Sequence, residues 1–126
     1  MRRLWIAAGL VGPLLGASLA NAWYAQKITD DMGRRLERAQ ELAQGEDWGE
    51  AERITRQVFQ DWEERHFYFH TLMRHSDTDE ILRAFREVLE YLEVREIDQY
   101  RAANADLVAQ LELLAEMEQA TLVNVL

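Results

Sequence analysis

One stretch near the N-terminus limits how the whole chain can fold. Residues 4–26, LWIAAGLVGPLLGASLANAWYAQ, contain no charged side chain. A helix of this length, at about 1.5 Å per residue, extends roughly 35 Å and is long enough to cross a hydrocarbon core of about 30 Å. Arg2 and Arg3 precede the stretch, whereas Asp30 and Asp31 follow it closely. Because positive charge favours the cytoplasmic side, we expect a single-pass membrane helix with its N-terminus in the cytoplasm and the C-terminal domain outside.

A cleaved secretory signal is the alternative interpretation of the same stretch. Ala20-Asn21-Ala22 has the small-x-small form of a cleavage site, and cleavage there would make Trp23 the first residue. Both interpretations export the remainder of the chain. We therefore divide the protein into residues 1–26, an N-terminal transmembrane anchor (or signal peptide), and residues 27–126, an extracytoplasmic acidic α-helical domain.

The charge of the chain argues against several classes of partner. All 23 acidic residues follow residue 26, and the net charge is −9. Such a surface repels phosphate backbones and anionic headgroups, so we expect no nucleic-acid partner. The chain has no cysteine, which excludes disulfides and thiolate metal sites.

Apolar residues beyond the anchor recur at helical spacing in four segments. The spacing predicts that the membrane helix continues over 27–44 and that further helices cover 47–73, 78–95 and 99–118. No window alternates in the manner of a strand, and the links are short, so we predict an all-α fold in which the transmembrane helix precedes a small antiparallel helical bundle or paired helical hairpins. The residues expected to face the core are Ile28, Met32, Leu36, Ala39, Leu42, Ala43, Trp48, Ala51, Ile54, Val58, Trp62, Phe69, Leu72, Ile81, Phe85, Val88, Leu92, Leu107, Leu111, Leu114 and Ala115.

Local signals place the helix boundaries. Gly45 is expected to stop the first helix, and Asp47 to cap the second. Asp77, followed by Glu80, has the spacing of a start for the third helix. The stretch DWGEAERI is similar to the first helix of a tetratricopeptide repeat, but no second copy at a fixed period is evident, so we do not expect a repeat fold.

Several residues together resemble a known family. They are the DW.EA pattern at Asp47 to Ala51, a second tryptophan at Trp62, a histidine in a link at His75, and the NVL ending at Asn124 to Leu126. With the short basic start and the single apolar helix, they resemble the bacterial proteins grouped as domain of unknown function family 4363. The resemblance implies a membrane-anchored helical protein of Firmicutes-type bacteria, and it implies no functional residues because the family has no assigned activity.

The best candidate for chemistry is the stretch EERHFYFH, residues 63–70. Glu63, His66 and His70 share one face of a helix, and imidazole with carboxylate is a suitable ligand set for zinc or iron. A zincin order and a second Glu-x-x-His are both missing, however, so a structural role for these side chains is favoured. His75 is interpreted as a polar residue at a helix end. We expect no catalytic residue, no cofactor and no metal, with this set of three as the alternative.

Two functional classes follow. The favoured one is an uncharacterised, non-enzymatic, membrane-anchored module of the bacterial envelope that binds an unidentified envelope protein. The alternative is a metal-binding or metal-sensing protein that uses Glu63, His66 and His70. A third option is a dimerising anchor, because Gly12, Gly16 and Ala20 form a stripe of small residues. The sequence leaves the oligomeric state open.

Overall fold

The computed structural model describes residues 2–69 and 75–125, and the side chains in these ranges except those at 18, 21–22, 66–69, 75–78 and 118–125. The described residues form four helices. They are α1 (Arg2–Gln44), α2 (Trp48–Phe69), α3 (His75–Glu93) and α4 (Ile97–Val125). The expected all-α fold is therefore confirmed.

The four helices form an antiparallel bundle. α1 packs on α2 and α4, and α3 packs on the same two helices. The residues expected to face the core are buried or half-buried wherever their side chains are described. The core residues that are completely or almost completely buried include Met32, Leu36, Ala39, Ala51, Val58, Phe85, Val88, Leu92, Tyr100, Leu107 and Leu111.

α1 is one continuous helix. It passes through Pro13 and through the predicted boundary after residue 26 without a break. Its side chains enter the core from Ala25 onward. We call residues 2–24 the arm, residues 25–69 the first hairpin and residues 75–125 the second hairpin.

The prediction of a transmembrane helix is not supported by the structure. Among the residues whose side chains are described, no helix combines the length and the apolarity that membrane crossing requires.

The other predicted boundaries differ modestly from the observed ones. α2 ends at Phe69, and the predicted continuation over 70–73 lies outside the described residues. α3 begins at His75, earlier than predicted, so Asp77 lies in its first turn. α4 begins at Ile97 and extends to Val125, beyond both predicted bounds.

Both hairpins turn with the same hydrogen bonds. After α1, the N–H groups of Glu46 and Asp47 donate to the carbonyls of Ala43 and Leu42. After α3, the N–H groups of Arg95 and Glu96 donate to the carbonyls of Leu92 and Tyr91. Glu46 and Arg95 are left-handed, with φ of 67° and 57°. This is a Schellman motif; the first helix ends just before Gly45, as predicted, and the left-handed residue of the turn is Glu46.

The match between the turns extends along both hairpins, because each position in the first corresponds to a position 49 residues later. Among the described side chains, eight such pairs are buried on both sides: Met32 and Ile81, Leu36 and Phe85, Ala39 and Val88, Ala43 and Leu92, Ala51 and Tyr100, Thr55 and Asn104, Val58 and Leu107, Trp62 and Leu111. The bundle therefore contains two helical hairpins whose buried positions correspond. The stretch 49 residues after DWGEAERI is EIDQYRAA, which is not a second copy of its sequence.

Candidate functional site

The arm exposes a large apolar surface. Its large side chains include Leu4, Trp5, Leu10 and Leu14, which are 79%, 78%, 64% and 68% exposed. Successive residues of a helix point about 100° apart, so these side chains cover the whole circumference rather than one face. A helix that is apolar all round is found inside a protein or inside a membrane. The described part of the bundle leaves these side chains of the arm uncovered.

Aromatic and basic side chains meet where the arm joins the bundle. The Nζ of Lys27 lies 5.0 Å from the centre of the Trp23 ring. On the facing helix α2, the guanidinium of Arg65 lies 5.9 Å from the ring centre of Tyr24, and its Nη1 donates to the Tyr24 hydroxyl at 3.3 Å. Tryptophan, tyrosine and basic residues are enriched at the boundary between lipid and water. We call these four residues the junction band.

The structure describes only part of the predicted metal-ligand set. Glu63 is exposed on α2. The backbone of His66 belongs to α2, but its side chain is not described, and His70 lies outside the described residues. His75 begins α3, again without a described side chain. Among the described side chains, no group of three potential ligands comes close enough to hold a metal ion.

A buried polar contact joins α4 to α1. The Nδ2 of Asn104 donates to the carbonyl of Leu36 and to Oε1 of Gln40, both at 3.1 Å. Its own Oδ1 has no hydrogen-bond partner within the part of the chain that the structure describes. The corresponding Thr55 donates only to the carbonyl of Ala51 in its own helix, at 2.8 Å. The polar side chain of the second hairpin thus bonds to the first hairpin, whereas the corresponding side chain of the first hairpin bonds within its own helix.

Three shifted pKa values have structural causes. Burial raises the pKa of the Tyr100 hydroxyl, which has no hydrogen-bond partner among the described residues. At the surface, the hydrogen bond from Arg53 lowers the pKa of Glu50 and raises the pKa of Arg53. Tyr100 lies in the core with its ring edge toward Trp48, 6.4 Å between centroids. Its pKa shift reflects packing, and nothing beside the ring marks a reaction site.

An ion pair joins α1 and α2 in the first hairpin, and the two corresponding residues of the second hairpin are uncharged. Arg35 donates to Asp61 on α2 at 2.7 Å and lies 3.3 Å from Asp31 on its own helix. The residues 49 positions after Arg35 and Asp61 are Ala84 and Gln110. A half-exposed pair of this kind contributes up to about 1 kcal/mol.

Sequence reasoning missed two of the most buried residues. Tyr100 is 0% exposed and Asn104 is 1% exposed, yet neither was expected in the core. The signal that would have identified them is their register, since they precede Leu107 and Leu111 by seven residues on the same helical face.

Comparison with known proteins identifies the bundle rather than the arm. The model of a family described as a domain of unknown function, DUF4363, matches residues 20–125. These residues contain both hairpins and only the last part of the arm. No curated protein and no solved structure matches the chain. Because the match spans most of its length, the chain belongs to the DUF4363 family.

Proposed function

We propose that this protein is a non-enzymatic helical module of the cell envelope. The arm inserts into the cell membrane, and the acidic bundle lies outside, where it acts by contact with another protein. The exposed apolar surface of the arm carries this proposal.

The distribution of apolar residues supports membrane insertion. Leu4, Trp5 and Ile6 are adjacent in sequence and all more than 60% exposed, so no single protein surface on one side covers them. Lipid covers a helix on all sides, whereas one partner helix covers a single stripe. The uncharged stretch also ends at the junction band, where the aromatic and basic residues typical of a membrane interface occur.

Charge supports the proposed orientation. Arg2 and Arg3 are the only charged residues before Lys27, while every acidic residue follows it. Positively charged flanks remain in the cytoplasm. The acidic bundle then lies on the outer side and is held away from anionic headgroups by repulsion.

The composition of the bundle supports action by contact. Its core is made of apolar side chains with a few polar groups that bond to the backbone or to one another. The groups with shifted pKa values are a surface ion pair and a tyrosine packed in the core. Small helical domains of this kind commonly function as binding surfaces.

Membrane extraction tests the proposed role of the arm. The full chain is expressed in a bacterium, and its membranes are washed with alkaline carbonate. We expect the wild-type protein to stay in the membrane pellet. The variant Leu10→Lys/Leu14→Lys places two charges in the arm, each of which costs about 2.5–3.5 kcal/mol in a bilayer, and is expected in the wash.

A matched variant controls for added charge. Val94 and Leu113 are exposed apolar residues of the bundle, 59% and 54% exposed, so Val94→Lys/Leu113→Lys adds the same two charges outside the arm. This variant is expected to stay in the pellet.

Protease digestion tests the orientation of the chain. Protease added to spheroplasts is expected to digest the bundle, because the bundle lies outside the cell membrane. A wild-type protein that the carbonate wash releases, or a mature chain that begins at Trp23, would overturn the proposal.

A further inference from the structure

A groove runs between α1 and α4, beginning close to the arm. One part of it has a volume of ≈ 370 Å³, and an adjoining part has ≈ 220 Å³. The two parts share Asp30 and Glu112. The deeper residues of the larger part are Thr29, Gly33 and Val108, which are buried or half-buried. A space of this size accommodates one or two large side chains.

Two small residues open the groove. Gly33 corresponds to Leu82 in the second hairpin, and Val108 corresponds to Phe59 in the first hairpin. Both of these larger residues are partly buried and pack against the core. The bundle thus accommodates large apolar side chains at these positions on α2 and α3, whereas the same positions on α1 and α4 hold the smaller Gly33 and Val108.

Gly33 is unusual as a helix residue. Its φ is not positive, so the backbone itself does not require glycine. A Cβ at this position would lie 3.7 Å from Cγ1 of Val108, which is an ordinary contact. Glycine inside a helix is nevertheless less stable than alanine by roughly 0.5–1 kcal/mol. The chain therefore forgoes stability at the one point where a side chain would fill the groove.

The rim of the groove is acidic. Asp30, Glu37 and Glu112 line it together with a single basic residue, Arg34, and Glu116 lines the adjoining part. The corresponding face of the other two helices is balanced. It carries the acidic residues Asp79 and Glu63 and the basic residues Arg83 and Arg86. The excess of negative charge therefore coincides with the open space.

We propose that this groove binds a basic amphipathic helix of a partner protein, which inserts a large apolar side chain beside Gly33 and Val108. The apolar anchor fits the missing volume of the leucine and phenylalanine, and lysine or arginine on the same helix pairs with the acidic rim. A second copy of this chain is disfavoured as the occupant because its exported part is itself acidic. The inference rests on the proposed function, a module that acts by contact, and specifies the chemistry of its partner.

Fluorescence anisotropy with a synthetic probe tests the inference. The full chain in mild detergent is titrated into a fluorescein-labelled helical peptide that carries leucine and phenylalanine at positions i and i+4 between lysine and arginine residues. We expect saturable binding that weakens with salt. A peptide with alanine at both anchor positions is expected to bind at least about tenfold more weakly.

The substitution Gly33→Leu separates blocking from unfolding. It copies the residue of the second hairpin, so it is expected to raise the melting temperature while it reduces peptide affinity at least about tenfold. Gly49→Leu is the matched control, since Gly49 is exposed, has no neighbour within 4 Å of an added Cβ and does not line the groove. This variant is expected to bind the peptide as the wild type does. The charge reversal Asp30→Arg/Glu112→Arg is expected to abolish binding.

Three outcomes would overturn the inference. They are no binding by the wild type, equal binding by wild type and Gly33→Leu, and a dimer of the wild type that Gly33→Leu dissociates, which would identify a second copy as the occupant. Because peptide binding is measured in detergent, it does not depend on membrane insertion. Failure of the groove and failure of the proposed arm function are therefore distinguishable.

Discussion

The first and second hairpins share a backbone frame but fill it with different side chains. Their turns form the same hydrogen bonds, and buried positions recur at a separation of 49 residues. The residues at these positions differ in size and polarity, as in Leu36 and Phe85 or Ala51 and Tyr100. The comparison shows that the backbone arrangement of a hairpin depends on the pattern of apolar and small positions. The identity of the residue at each position can vary.

The differences between the hairpins are concentrated on particular faces. The first hairpin continues from the arm and has the ion pair of Arg35 with Asp61 and the open position at Gly33. The second has the large rings of Phe85 and Tyr100 in the core. We conclude that the second hairpin places larger side chains at these two core positions, while both hairpins contribute to the groove.

The largest expected effect comes from removing one core side chain from each hairpin. Phe85→Ala is expected to reduce the free energy of unfolding by about 3–5 kcal/mol, because the ring lies 5.2 Å from Phe59 and 5.8 Å from Trp62 between centroids. Leu36→Ala, at the corresponding position, is expected to cost less. Urea unfolding of the full chain in detergent, followed by circular dichroism, measures both. An equal loss for the two variants would contradict the larger contribution expected of the Phe85 ring.

The next effect concerns the polar position that the hairpins use differently. Asn104→Ala is expected to cost about 2 kcal/mol, because it removes two hydrogen bonds between α4 and α1. Thr55→Ala is expected to cost about half as much, since the Thr55 hydroxyl bonds only within α2. Unfolding is measured for both variants, and Asn104→Ala, Gln40→Ala and the double variant Asn104→Ala/Gln40→Ala form a double-mutant cycle. Additive losses for Asn104→Ala and Gln40→Ala would show that their contact does not stabilise the bundle.

Much of the core could be predicted from the sequence, because it depends on local spacing. Met32, Leu36 and Ala39 follow the period of a helix, and all three are buried. The correspondence between the two hairpins was harder to detect, because none of the buried pairs named above keeps the same residue. Positions that do share a residue, such as Asp30 with Asp79 and Arg34 with Arg83, lie on the surface.

The groove could not be predicted from the sequence. Gly33 and Val108 are far apart in the chain, and their proximity depends on the register between α1 and α4. From the sequence alone, Gly33 is only a helix residue of low propensity. The arm shows the opposite case. The lack of charge in residues 4–24 and the continuation of the helix into the bundle were both predicted from the sequence, and the structure adds that the side chains enter the core at Ala25.

A pH-dependent effect distinguishes the hairpins, because Tyr100 corresponds to Ala51. Burial raises the pKa of Tyr100 above its ordinary value of about 10, so the folded protein keeps this proton when the unfolded chain loses it. Stability from this group is complete below pH 10 and falls by up to about 1.4 kcal/mol per pH unit above it. Unfolding between pH 9 and pH 11 (about one unit on either side of the ordinary pKa) is measured for wild type and Tyr100→Phe. The same slope in both would exclude Tyr100 as the cause.

The smallest expected effect tests whether the two turns are equivalent. Glu46 and Arg95 are left-handed, a conformation that costs an ordinary residue about 1–2 kcal/mol and costs glycine almost nothing. Glycine also increases the freedom of the unfolded chain, so Glu46→Gly and Arg95→Gly are each expected to raise stability by only about 0.5 kcal/mol. Gly45→Ala is the control, because the φ of Gly45 is not positive and an added Cβ would lie 3.5 Å from the Leu42 carbonyl. It should be tolerated, as Val94 is at the corresponding position. If only one of the two glycine variants gains stability in thermal unfolding, side-chain contacts rather than the shared backbone frame determine that turn.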